Sequence, residues 1–168
     1  MLPKIETILY ATGLSPRATY VFRYALALAR QHGAKIVAVH GIEPLSNFGQ
    51  SLIEQYMSHE VSEELHTKAR ETVKAQLQVR IEALCTKECS VAVECQNLVS
   101  SIRVIDGQPA QVILDVAKDC SADLIIMGSH RHTMVGEVIL GSTTRKVLHS
   151  ADQPVLVVKV PQSYSEDV

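Results

Sequence analysis

The run Leu124-Ile125-Ile126-Met127-Gly128-Ser129-His130-Arg131, continued through Gly136 to Gly141-Ser142-Thr143-Thr144-Arg145-Lys146-Val147, decides how the rest of the chain is read. Its first four residues are apolar in succession, which fits a strand buried on both faces, and Gly128 stops it. A polar loop follows, then Gly141 and a set of hydroxyl residues where a helix from Ser142 to Ser150 begins. Strand, glycine, loop, glycine and helix start, in that order, make a place to hold phosphate. Glycine lets backbone approach an anion without a Cβ in the way, and the N–H groups of Gly141, Ser142 and Thr143 at a helix N-terminus form an anion nest.

The stretches on either side repeat the same alternation. Ile5 to Ala11 is a short run of strand formers closed by Thr12-Gly13-Leu14-Ser15-Pro16. Serine ahead of proline predicts a helix from Pro16 to Gln31, because serine caps a free N–H and proline tolerates the first turn. His32-Gly33 ends that helix. Lys35 to Ile42 is apolar on consecutive positions, so it reads as a second strand covered on both faces. A loop with Pro44 and Gly49 leads into an amphipathic pattern from Ser51 to Leu84, whose Val61, Leu65, Val73 and Leu77 predict one long core-covering helix.

Between Cys89 and Ile105, both Val91-Ala92-Val93-Glu94 and Ser101-Ile102-Arg103-Val104-Ile105 carry strand character, which leaves room for an extra edge strand near residues 90–95. Asp106-Gly107-Gln108-Pro109 is a turn into a helix with Val112, Ile113 and Val116 on one face. Asp123 to Met127 and Pro154 to Val160 supply further strands. The alternation favours an α/β fold: an open, mainly parallel, five-stranded sheet with helices on both faces. Ligands of such sheets bind beyond the carboxyl ends of the strands, where strand order reverses. The loops Ala11 to Ser15, His40 to Pro44 and Gly128 to Ser142 each follow a strand, and so should surround one cleft.

Composition bounds the function. The 168 residues make one domain, 1–161, with 162–168 as a flexible C-terminal tail. A net charge of -2 gives no footprint for nucleic acid. No apolar run approaches the roughly 20 residues of a membrane span, and the N-terminus lacks a signal-peptide core, so a cytoplasmic protein is expected. Cys85, Cys89, Cys95 and Cys120 read as reduced thiols, because a chain of this size folds without staples and their spacing is not that of a zinc knuckle. Asp123 and Asp152 read as caps or turns. His130 and His132 near Ser142 lack the orienting acid and oxyanion site of a hydrolytic triad.

Gly128 to Ser142 resembles the nucleotide signature of the universal stress protein family, G-x2-G-x9-G-[ST]. Ile8-Leu9-Tyr10-Ala11-Thr12, Val39-His40-Gly41, Asp106-Gly107-Gln108-Pro109 and Pro154-Val155-Leu156-Val157-Val158 resemble other segments of the same family, in the same order. The resemblance implies a Rossmann-like fold of the adenine nucleotide alpha hydrolase type and a stress-response protein that binds ATP or AMP, with Mg²⁺ arriving alongside a triphosphate. It implies a homodimer through residues 154–160 and a nucleotide site drawn from Ala11, Thr12, Gly13, Val39, His40, Gly41, Gly107, Met127, Gly128, His130, Arg131, Gly141, Ser142 and Thr143. It supplies no general base, so at most slow ATP hydrolysis is expected. Two positions depart from the pattern. Arg131 replaces the second glycine and either clamps a phosphate or distorts the nest. Gly13 stands where nucleotide-binding relatives usually carry an aspartate, and is either a plain turn glycine or a lost ribose acceptor. A scaffold that has lost nucleotide binding is the alternative that these departures motivate.

Overall fold

The structure, a computed structural model, describes residues 2–89, 92–129, 140–161 and 163–164. Five strands, β1 (Thr7–Ala11), β2 (Lys35–Ile42), β3 (Val99–Asp106), β4 (Leu124–Gly128) and β5 (Val155–Val158), form one sheet in the order β3-β2-β1-β4-β5. Every pairing is parallel. The connections are α1 (Ala18–His32), α2 (Asn47–Tyr56), α3 (His59–Glu88), α4 (Ala92–Gln96), α5 (Pro109–Asp119) and α6 (Ser142–Ser150).

Strand alternation sends side chains to two cores. Ile8 and Tyr10 of β1 join Phe22, Ala25, Leu26 and Ala29 of α1 and Ile81, Leu84 and Cys85 of α3 on one face. Leu9 joins Val112, Ile113, Val116 and Ala117 of α5 and Val147 of α6 on the other. Covered on both faces, β1, β2 and β4 have no need of alternation, which is why their sequences are continuously apolar. Asp123 fixes the start of β1, its carboxylate accepting from the N–H groups of Glu6 at 2.8 Å and Thr7 at 2.9 Å. Gly33 closes α1 in the left-handed region at φ 66° and donates to the Ala29 carbonyl.

Four expectations need correction. Residues 92–96 form α4 and not an added strand; residues 90 and 91 lie outside the described residues. By turning the chain back on α3, α4 brings Cys89 and Cys95 into a disulfide with Cα atoms 6.5 Å apart, inside the usual range, so these two are not free thiols. Cys85 and Cys120 are free.

The long helical pattern divides at Met57-Ser58. Met57 is extended, and the Ser58 hydroxyl accepts from the Val61 N–H at 3.4 Å to start α3 afresh. Only the C-terminal part of α3 covers the core: Leu77, Ile81, Leu84 and Cys85 are buried, whereas Val61 and Leu65 are 44% and 49% exposed. The Arg70 guanidinium holds the middle of α3 to Asp106 at the end of β3.

Candidate functional site

Strand order reverses between β1 and β4, whose neighbours lead away in opposite directions. The register sets Ala11, the last residue of β1, beside Val39 of β2 and Met127 of β4, toward the carboxyl ends of those strands. Above them lies a cleft of about 200 Å³. Parallel strands ending together beside diverging crossovers leave this gap, so the topology places it before any side chain does.

The cleft wall contains Ala11, Thr12 and Gly13 after β1, Val39, His40 and Gly41 of β2, Met127 and Gly128 of β4, and Thr143 of α6. These nine residues were named by sequence reasoning. Gly107, Gly141 and Ser142 do not line it: Gly141 is buried behind the α6 start and Ser142 is exposed. His130 and Arg131 lie outside the described residues, as do His132 and Gly136. Tyr10, Ala18, Val21, Pro109, Ile113 and Thr144 complete the wall and went unnamed. Pro109 and Ile113 were legible as the first turn and inward face of α5. Tyr10 was not, because its ring enters the cleft from within the core.

The polar groups are few and held. The Thr12 N–H donates to the Val39 carbonyl at 2.9 Å, and His40 Nδ1 donates to the Thr12 carbonyl at 2.8 Å. A carbonyl only accepts, so Nδ1 carries the proton and Nε2 is the ring nitrogen left for another partner. The buried Thr144 hydroxyl donates to the Gly128 carbonyl at 3.1 Å and pins the start of α6 to the end of β4. The N-cap of α6 is Gly141, which has no side chain to cap the helix. The amides of its first turn have no intrahelical acceptor and carry the positive end of the helix dipole. Beneath the cleft the Tyr10 hydroxyl donates to the Ala18 carbonyl at 2.7 Å, and burial pushes its phenol well above the ordinary value of 10.

Gly41 has a different importance from the one its position in the sequence suggests. A Cβ there would stand 2.9 Å from Pro109 Cα and 3.4 Å from Pro109 Cβ. The glycine lets the first turn of α5 close directly on β2, forming one wall of the cleft. Among the described residues, a side chain at Gly13 would meet nothing nearer than the Ser15 nitrogen at 4.0 Å.

The arrangement is an apolar slot with hydrogen-bonding groups at one end and the glycine-led start of α6 beside it. Among the described residues, the lining has no carboxylate, lysine or arginine, and no cluster of three His, Cys, Asp or Glu could hold a metal ion. Such a slot suits a flat heterocycle whose anionic part reaches toward α6.

Comparison with known proteins agrees with the fold. The sequence model of the Universal stress protein family matches residues 4–159. The chain belongs to the universal stress protein family. A universal stress protein of Thermus aquaticus, described by its place in the QAH/OAS sulfhydrylase 3' region, is 32% identical over 155 residues, covering 92% of this chain and 98% of the relative. The solved structure of universal stress protein MJ0577, from Methanocaldococcus jannaschii, superimposes with a TM-score of 0.70 at 26% identity, covering 96% of this chain and 100% of the other. A universal stress protein of Archaeoglobus fulgidus solved in complex with dAMP has a TM-score of 0.54 at 19% identity, covering 91% and 96%, a likeness of fold alone. No helix among the described residues is long and apolar enough to cross a membrane.

Proposed function

We propose that this universal stress protein binds an adenine nucleotide in the cleft and acts as a homodimeric regulator in a stress response. The observation that carries the reading is the junction of an apolar slot with the start of α6, whose N-cap is Gly141, at the point where strand order reverses. The cleft of about 200 Å³ falls below the roughly 300–1,000 Å³ of pockets that swallow a drug-sized molecule. Base and ribose would fill it, and the phosphates would project toward Gly141, Ser142 and Thr143. The base would lie between Met127 and the wall made by Val39, Gly41, Pro109 and Ile113, with the hydroxyls of Thr12 and Thr143 facing the sugar and α-phosphate. A triphosphate would bring its Mg²⁺ on its own oxygens and water. The dAMP complex of the Archaeoglobus relative supports adenine as the base.

The test is the nucleotide released on denaturing freshly purified protein, with calorimetric titration by AMP, ADP and ATP. Binding of AMP or ATP is the expected result, and no heat with any of them would sink the reading. Substituting Arg131→Gly in the same titration separates a phosphate clamp, whose loss weakens binding, from an obstruction, whose loss strengthens it. The homodimer would form through β5, which lies at the edge of the sheet; light scattering should give twice the monomer mass at micromolar concentration.

A second reading is a dimeric scaffold that acts through protein partners without nucleotide. The absence of any carboxylate from the described lining favours it, since no acceptor there answers the ribose hydroxyls in the way the aspartate usual in relatives would. The same titration decides between the two.

A further inference from the structure

The geometry points to Cys89–Cys95 as a reversible dithiol–disulfide switch that sets how firmly α3 holds the loop between β1 and α1 at the rim of the cleft. The two cysteines are six positions apart, so their bridge closes a short ring that restricts little of the unfolded chain. The domain already buries two cores on a five-stranded sheet and does not depend on such a staple. What the bridge fastens is local: the first residue beyond α3 to the short α4. The Cys95 carbonyl accepts from the Leu98 N–H at 3.1 Å, and the Leu98 carbonyl from the Ile36 N–H at 2.7 Å, so α4 itself is moored to β2.

The C-terminal end of α3 is where that helix meets the rest of the molecule. Glu88, one residue before Cys89, pairs with Arg23 of α1 at 2.7 Å. Two turns earlier the Arg80 guanidinium donates to the carbonyls of Leu14 at 3.0 Å and Ser15 at 3.2 Å. The next residues of that loop, Gly13 and Thr12, form the cleft wall. The path from sulfur to cleft is therefore Cys95, Cys89, Arg80, Leu14, Thr12. With the bridge closed, the end of α3 is fixed to α4 and Arg80 holds the loop; with it open, the end of α3 loses that tie.

The two sulfurs differ in access as an exchange reaction requires. Cys89 is half-buried and Cys95 is buried. Starting from the dithiol, the Cys89 thiolate attacks one sulfur of a small disulfide such as glutathione disulfide, forming a mixed disulfide and releasing one glutathione thiolate. The Cys95 thiolate then attacks Cys89 Sγ and expels the second glutathione. Two electrons pass from the cysteine pair to glutathione, and the two thiol protons end on the two glutathione thiols. Cys85, one turn before Cys89 in the same buried cluster, stays a free thiol, and Cys120, on the opposite face of the sheet, is the internal reference.

Only the last step, from loop to ligand, deepens the nucleotide reading; the switch stands without it. The full chain is equilibrated with glutathione disulfide or with excess dithiothreitol, alkylated and digested with glutamyl endopeptidase. Glu88 and Glu94 each immediately precede one cysteine of the pair, so the bridged form yields the peptide Cys89 to Glu94 joined to the one that begins at Cys95. That linked product is expected in the first sample and not in the second, with Cys120 alkylated in both. Amide exchange over residues 12–18 and 77–89 should be about fivefold slower in the bridged form, and Cys95→Ser and, separately, Cys89→Ser should exchange as the reduced protein does in either buffer. Three results overturn the proposal: no linked product after oxidation, a bridge that survives excess dithiothreitol in the folded protein, or exchange over residues 12–18 that is equal in the two states. AMP titrated into both states should differ in affinity by about fivefold. If AMP binds neither state, the nucleotide reading falls, while amide exchange still decides the switch.

Discussion

Replacing Gly41 by alanine tests whether the cleft wall is built by close approach of backbone or by side chains. The added methyl group would stand 2.9 Å from Pro109 Cα, 3.4 Å from Pro109 Cβ and 3.5 Å from Val112 Cβ. Carbon atoms in contact settle near 3.5–4.0 Å, so the first turn of α5 must retreat by about half an ångström or more. It cannot do so freely, because Ala110, Val112 and Ile113 are packed against the sheet. Overpacking of this kind costs about 1–3 kcal/mol, which for a domain of this length lowers Tm by about 3–10 °C. Gly13→Ala is the matched control: it lines the same cleft, yet among the described residues its methyl would meet only the Ser15 nitrogen at 4.0 Å. Its stability should stay within about 0.5 kcal/mol of the parent, or rise by about 0.4–1 kcal/mol as the unfolded chain loses freedom. Urea unfolding followed by circular dichroism measures both. Equal effects at the two glycines, or a Gly41→Ala loss below about 0.5 kcal/mol, would refute the view that Gly41 exists to admit Pro109.

Thr144→Val should cost about 1–3 kcal/mol, because it leaves the Gly128 carbonyl without its hydroxyl donor; Thr144→Ser, which keeps the bond, should cost less in the same urea titration. Tyr10→Phe removes the 2.7 Å bond to Ala18 and should cost about 0.5–1.5 kcal/mol at pH 7. Because burial raises the folded phenol above 10, the folded protein keeps its proton after the unfolded chain has lost it; the tyrosine's contribution is whole below pH 10 and is lost as pH rises beyond it. The gap between parent and variant should therefore narrow between pH 9 and about pH 11, and a gap that widens would reverse the assignment. Along α3, Ile81→Ala should cost about 2–5 kcal/mol, whereas Leu65→Ala should change stability by less than about 0.5 kcal/mol; comparable losses in thermal unfolding would mean that the N-terminal half is packed after all.

Much of the sheet could be read from the sequence because burial on both faces writes itself as continuous apolar runs. Lys35 to Ile42 was bounded as found, and so was the helix Ser142 to Ser150. The strand at Val155–Val158 came out shorter than its apolar run, since Val160 packs into the core beyond the last pairing. The α1 start was misplaced by the Ser-Pro signal: Ser15 and Pro16 form a preliminary turn, their carbonyls accepting from Ala18 and Thr19, and the helix begins at Ala18. The break at Ser58 carried a readable signal, a serine two residues ahead of Glu60, but the apolar spacing that runs past it masked the cap. Cys89 and Cys95 were not legible as a pair, because whether two thiols meet depends on the path between them, and strand propensity at Val91 to Glu94 argued for an extended path that would have held them apart. At the site, residues following strands were recognisable because topology gathers strand ends. Tyr10, Ala18 and Thr144 were not, because core residues become lining only where two crossovers part.

The uneven anchoring of α3 makes it a lever. Its last tie to the sheet is the Arg70–Asp106 pair, and eleven residues of helix reach back from there to His59. At 1.5 Å per residue that arm is about 17 Å long, so a tilt of about 10° about Arg70 would sweep its tip through about 3 Å. The tip carries α2, whose Phe48 and Tyr56 are 74% and 78% exposed. A displacement too small to disturb the sheet would be magnified there, beside exposed aromatic side chains.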